Sequence, residues 1–244
     1  MLTIPDHRAN LSDPTPVAFA VMRRSPVAPL LLIVVALVAA SCSRSGDGFE
    51  GAYAGVELAI PLEKPAIVLT DTEGQPYDLR AETDGRLTLV YFGYTNCPDI
   101  CPIHLAQLSQ VLDRGGMPTN VDVVFITVDP ERDDPERIRS FLDAYSADFV
   151  GLTGTLEELE EAQIMFNVPV AAREGDGDDY TFGHAGQVFA FAPDGWAYSV
   201  YPQGTRQTHW VRDLPVLAAI EPNTETALQA TDDGVGTAAD TGQS

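Results

Sequence analysis

LTLVYFGYTNCPDICPIHLAQLSQVL, residues 87 to 112, is the stretch that decides the fold. Its first six residues, Leu87-Thr88-Leu89-Val90-Tyr91-Phe92, have the β-branched, aromatic and leucine composition of a strand buried on both faces. Gly93 ends the run. Cys97 and Cys101 follow where the chain turns into a helix. Pro102 suits a first helical turn, where its missing N–H is not needed. Leu105, Leu108, Val111 and Leu112 then recur at helical spacing. The stretch predicts a strand, a short loop and a helix, with two thiols at the helix start.

Outward from it, helices and strands alternate. Upstream, Ile67–Thr70 and Tyr77–Leu79 flank Gly74 and predict a β-hairpin. Downstream, Val121–Val128 is a second strong strand, closed by Asp129-Pro130. Pro135 opens a helix to about Ala144. Thr155 with Glu158 is a capping box for a helix to about Phe166. Val168–Ala171 reads as extended and residues 174–179 as an acidic, glycine-bearing loop. Gln187–Ala192 and Trp196–Tyr201 predict a hairpin around Pro193-Asp194-Gly195, and Thr208–Ile220 a last helix. This order predicts an α/β domain with a central mixed sheet flanked by helices. With paired cysteines after the first core strand, it resembles a thioredoxin-like fold carrying an added N-terminal β-hairpin.

The chain has 244 residues, enough for one sizeable domain with extensions. A formal charge of −22 argues against nucleic-acid binding, which relies on Lys and Arg against phosphate. It suits a solvated acidic surface in an extracytoplasmic space, or a protein that docks on a basic partner. Three cysteines are too few for a disulfide scaffold. The third, Cys42, belongs elsewhere: Arg23-Arg24 precede an apolar segment over residues 26–40, and Ala39-Ala40-Ser41 lead into Cys42. A basic flank, a short apolar core and small residues make an export signal. The core is short for a spanning helix. A cysteine after small residues resembles a bacterial lipobox, which makes Cys42 the lipid-bearing first residue of the mature protein. An uncleaved membrane anchor is the alternative. Both place the domain outside the cytoplasm, anchored at a membrane. Met22 reads as a natural start beside Met1. The expected organisation is an export or lipoprotein signal region at 1–42, a flexible tether at 43–64, the main domain at 65–220 and a disordered acidic tail at 221–244.

Residues four apart in a helical turn share a face, so Cys97 and Cys101 can close a disulfide or grip one ion. The helix N-terminus favours thiolate over thiol. Soft thiolates select Cu(I) or Zn among biological ions. A structural bridge gains most by closing a long loop, and this loop is very short. A third ligand would separate metal binding from plain redox work. Of the four histidines, His7 precedes the export signal, His104 reads as exposed near the site, and His209 as a surface or capping residue. His184 follows the acidic loop and precedes the strand Gln187–Ala192. In a thioredoxin-like sheet that loop lies beside the cysteines, which makes His184 the candidate third ligand.

FGYTNCPDICP, TVDPERDDPERI, GLTGT and GHAGQVFAFAPDG occur in that order. Over roughly Pro65 to Ile220 they resemble the Sco/SenC family. The resemblance implies a thioredoxin-like fold and copper, as Cu(I) with Cu(II) as a second state, held by Cys97, Cys101 and His184. It further implies assembly of the binuclear copper centre in cytochrome c oxidase subunit II, as copper donor or as reductant of its cysteines. The implied partners are subunit II, another periplasmic copper chaperone or a thiol reductant, and the membrane through the N-terminal anchor. Asp129, in the match to the VDP motif, is expected near the site, orienting it or docking a partner; the plainer reading is a turn residue capping a strand end. The family often has Asp directly before the histidine, where Gly183 stands here. That departure alters what surrounds the ring without removing a ligand. Two classes of function remain open. One is a copper metallochaperone. The other is a membrane-tethered thiol–disulfide reductase in which Cys97 attacks and Cys101 resolves the mixed disulfide. A peroxiredoxin-like peroxidase fits poorly, because its Pro-x-x-x-Thr context is absent.

Overall fold

Every residue of the run Leu87–Gly93 is buried, and the run is the central strand of the sheet. The computed structural model describes residues 51–222, apart from 176 and 178. The export segment, Cys42 and the acidic tail beyond residue 222 lie outside the described residues. In chain order the elements are β1 (Val56–Glu63), β2 (Val68–Asp71), β3 (Pro76–Asp78), α1 (Leu79–Glu82), β4 (Leu87–Gly93), α2 (Ile100–Leu112) and β5 (Val121–Thr127). They continue with α3 (Pro135–Asp143), β6 (Val150–Thr153), α4 (Leu156–Met165), β7 (Ala172–Glu174), β8 (Thr181–Gly183), β9 (Val188–Phe191), β10 (Trp196–Tyr201) and α5 (Gln207–Ala218). Among the described residues no helix is long and apolar enough to cross a membrane.

The main sheet has eight strands in the order β1-β10-β9-β4-β5-β6-β2-β3. β4 runs parallel to β5, from Leu87 opposite Val121 to Gly93 opposite Thr127, and β5 runs parallel to β6. β9 is antiparallel to β4, with Tyr91 opposite Val188. The loop leaving β4 and the loop entering β9 therefore meet at one end of the sheet. Parallel strands must be covered on both faces, which is why β4 and β5 are almost continuously apolar. Leu105, Leu108 and Val111 of α2 bury one side, while Phe166 packs against Phe92, Phe189 and Phe191. This mixed α/β sheet flanked by helices is the thioredoxin-like architecture expected, with the β2–β3 hairpin added beyond β6.

Three elements depart from expectation. β6 is a four-residue strand, VGLT, between two helices, too short to show a period. Residues 56–63, inside the segment expected to be a flexible tether, form the edge strand β1 on β10. Pro61 interrupts their alternation, as edge strands tolerate. Just before β1, the N–H groups of Ala54 and Gly55 donate to the buried Asp213 carboxylate of α5, which also accepts the Tyr201 hydroxyl. The third is the β7–β8 hairpin, whose two short strands flank the loop read over 174–179 and pair across it. The capping box on Thr155 and Glu158 is present as expected.

Lys64, next to β1, is buried. Its ammonium donates to the carbonyl and hydroxyl oxygens of Thr83 and to the Thr88 hydroxyl. Burial pushes its pKa down to about 8, against the opposing pull of Asp84 and Asp122. Between that value and the ordinary lysine range the unfolded chain keeps a proton the folded chain has released, so stability rises with pH across this window. Urea titrations should show the wild-type stability gaining on the order of 2 kcal/mol over Lys64→Met between pH of about 7.5 and 10.5. A difference that stays flat with pH would refute the buried, easily discharged ammonium.

Candidate metal centre

The site begins with β4 ending at Gly93 and the chain turning over Tyr94, whose carbonyl accepts the N–H of Cys97. α2 starts at Ile100, and Asp99 makes no side-chain cap. The backbone N–H groups of Asp99 and Cys101, at this uncapped start, favour the thiolate form of Cys97. Cys101, in the first turn, is fully buried, and Cys97 is nearly so at 7% exposed. Both are free thiols.

His184 arrives from the other side of the sheet's end, one residue after β8. Its Nδ1 lies 3.1 Å from the Ala185 carbonyl oxygen. A proton donated there leaves the Nε2 lone pair facing the thiols. Nε2 is 3.8 Å from the Cys101 sulfur. The two sulfurs and the imidazole nitrogen all lie within 4.8 Å of one another. The ring is seated edge-on against Tyr94, at 5.7 Å between centroids, and Tyr91, at 6.1 Å. Two sulfurs and one imidazole form a soft donor set that suits Cu(I) or Zn. Beside Cys97 a cavity of about 330 Å³ opens between Thr95, Pro98, Arg132 and Tyr180.

The two thiols are unequal. A hydrogen bond from Cys101 pulls the Cys97 pKa well below the ordinary thiol value, with help from His184 and the backbone N–H groups of Asp99 and Cys101. Burial pushes Cys101 upward, and its role as donor to Cys97 adds to that. Cys97 is thus the thiolate and Cys101 the thiol. Tyr91, its own pKa raised mainly by burial, donates its hydroxyl to the Cys101 sulfur at 3.4 Å.

Cys97, Cys101 and His184 come together. His104 is buried at 2% exposed rather than exposed near the site, its ring 5.1 Å from that of Tyr91. Burial, then the neighbouring His184, lower its pKa to about 4, so it is neutral. His209 is half-buried in the first turn of α5. Asp129 is fully buried and outside the group of three. Its carboxylate accepts Arg132 and the Tyr180 hydroxyl, and its N–H donates to Thr127. It is a turn residue that holds Thr127, Arg132 and Tyr180 together. A β-carbon on Gly183 would lie 2.7 Å from the Glu174 carboxylate, so Glu174 fills the space a side chain at 183 would enter. Sequence reasoning missed Tyr91, Tyr94 and Tyr180. For Tyr91 the available signal was its place in the fully buried run Leu87–Gly93, where a hydroxyl needs a partner.

With this geometry established, the chain can be set beside known proteins. A relative from Stutzerimonas stutzeri, named "Putative copper-binding protein", is 36% identical over 143 residues, covering 57% of this chain and 69% of its own length. "Protein SCO1 homolog, mitochondrial" from Homo sapiens is 35% identical over 147 residues, covering 55% of this chain. The chain spans about half the length of that mitochondrial relative, 49%. The solved structure of Bradyrhizobium japonicum ScoI with copper bound superposes with a TM-score of 0.57 at 30% identity, covering 64% of this chain and 99% of that one. The SCO1/SenC family model matches residues 62–219, from the end of β1 through α5 and including all three donor residues. The chain belongs to the SCO1/SenC family.

Proposed function

We propose that this chain is a copper metallochaperone that serves assembly of the binuclear copper centre of cytochrome c oxidase, with subunit II as recipient. The observation that carries the reading is the convergence of the Cys97 and Cys101 sulfurs and His184 Nε2 within 4.8 Å. Cu(I) is the cargo. The Cys97 thiolate is ready to receive it, the Cys101 thiol gives up its proton on loading, and Nε2 supplies the third donor. Three donors leave one side open, and the cavity beside Cys97 gives a recipient's thiolate room to approach. The N-terminal region, with Cys42 as its lipid-bearing residue, would tether the domain outside the cytoplasm. The tether then ends before Ala54 and Gly55, which Asp213 holds, and the tail begins at 221.

A thiol–disulfide reductase is the second reading, favoured by the unequal pair: a low-pKa Cys97 to attack and a protonated Cys101 to resolve. Titration of the reduced chain with Cu(I) against a chromophoric chelator is expected to show one ion per chain. Cys97→Ser and Cys101→Ser should each abolish competitive binding. Stoichiometric copper retained by either serine variant would overturn the chaperone assignment.

A further inference from the structure

β7 and β8 form a two-stranded sheet of their own, paired with no strand of the main sheet. All of β7 is exposed. An isolated hairpin is marginal by itself. Yet the chain steps from Gly183, the last residue of β8, straight to His184. The stand of the imidazole therefore depends on what fastens this hairpin to the domain.

The fastening is Tyr180, just before β8 and 6% exposed. Its ring packs against two guanidinium groups, Arg132 at 3.5 Å from the ring centre and Arg173 at 3.6 Å. Its hydroxyl donates to Asp129 at 2.8 Å. Arg132 is bonded to the same Asp129 carboxylate and donates to the Tyr180 carbonyl oxygen at 3.1 Å. Arg173 pairs with Glu131 at 3.3 Å. A second tie is weaker: the Phe182 N–H donates to the Tyr94 hydroxyl at 3.3 Å, and their rings meet at 5.6 Å. Asp129, Glu131 and Arg132 all lie in the loop between β5 and α3. Cations against an aromatic face, with a buried carboxylate on its hydroxyl, make a stiff attachment.

We infer that Tyr180, gripped by Arg132 and Arg173 and anchored on Asp129, is a positioning residue for His184. The loop after β5 thus acts on the cargo through the hairpin, without touching it. The inference rests on His184 being a copper donor. Outer partners that fix a ligand's orientation typically govern 10- to 100-fold in metal affinity.

The test loads the reduced full chain with Cu(I) against a competing chelator and counts sulfur and nitrogen neighbours by X-ray absorption. It does so for wild type, His184→Ala, Tyr180→Leu, Tyr180→Phe and Arg173→Met. Tyr180→Leu should lose roughly 10- to 100-fold in affinity and its nitrogen neighbour, while keeping both sulfurs. Tyr180→Phe keeps the ring between its cations and should restore affinity to within about threefold of wild type. Wild-type affinity with a retained nitrogen in a folded Tyr180→Leu would overturn the inference. Should that variant fail to fold, Arg173→Met decides: a loss of about threefold or more at an unchanged melting temperature supports the inference, and no loss overturns it. If His184→Ala binds as tightly as wild type, the copper-donor reading itself fails, and the inference falls with it.

Discussion

His184→Ala is expected to lower Cu(I) affinity by at least about 100-fold while leaving thiol–disulfide exchange within about twofold. Loss of an outer partner alone can cost that much metal affinity, and here a donor atom itself is removed. Exchange responds differently because it depends on the Cys97 thiolate. The largest influence lowering the Cys97 pKa is the hydrogen bond from Cys101, which the substitution leaves in place, with His184 contributing less. Competition titration and stopped-flow reaction with oxidised glutathione, run on the same preparations, separate the two activities. Copper affinity unchanged in His184→Ala would defeat the three-donor site. A collapse of both activities would mean that the ring props up the thiol loop.

The second large effect is steric. A β-carbon on Gly93 would lie 2.7 Å from the Phe125 ring, 2.9 Å from the Cys101 sulfur and 3.1 Å from the Tyr91 ring. All three neighbours are fully buried and none can swing into solvent. Gly93→Ala should therefore cost about 3 kcal/mol or more, at the upper end for overpacking. It should also push the Cys101 sulfur off the donor group and weaken copper binding. Gly115→Ala is the control, because nothing lies within 4 Å of its β-carbon position. Urea melts of both variants provide the comparison. A Gly93→Ala protein as stable as Gly115→Ala would show that the end of β4 is looser than its packing indicates.

The parts of this fold that announce themselves in the sequence carry a period or a cap over many residues. β4, α2 and β5 are long apolar patterns, and Thr155 with Glu158 marks a helix start. The three residues that converge were legible for two separate reasons, thiols at a helix start and a histidine placed before a core strand. What stayed hidden depends on partners far away in sequence. β6 is too short to show alternation, and β1 is defined by β10 and Asp213. The β7–β8 hairpin is held by Arg132 and Tyr180, which lie 48 positions apart. His104 is a different case. It sits on the buried stripe of α2 with Cys101, Leu105, Leu108 and Val111, so helical spacing alone placed it inward. Reading it as exposed treated its polarity as stronger than its position.

The antiparallel pairing of β4 with β9 also couples loading to folding. Cys101 and His184 are 83 positions apart and meet only after those two strands have paired. A chain still being folded presents two sulfurs and no nitrogen, a weaker claim on a metal ion. A complete donor set is thus a certificate of a finished core. Mass action then works in reverse: cargo held more tightly by the native state adds up to about 4 kcal/mol at a thousandfold excess over Kd, less what the two sulfurs of the unfolded chain retain. Handing the ion on forfeits that increment, so the spent carrier is the more perishable form, and resistance to proteolysis should track occupancy.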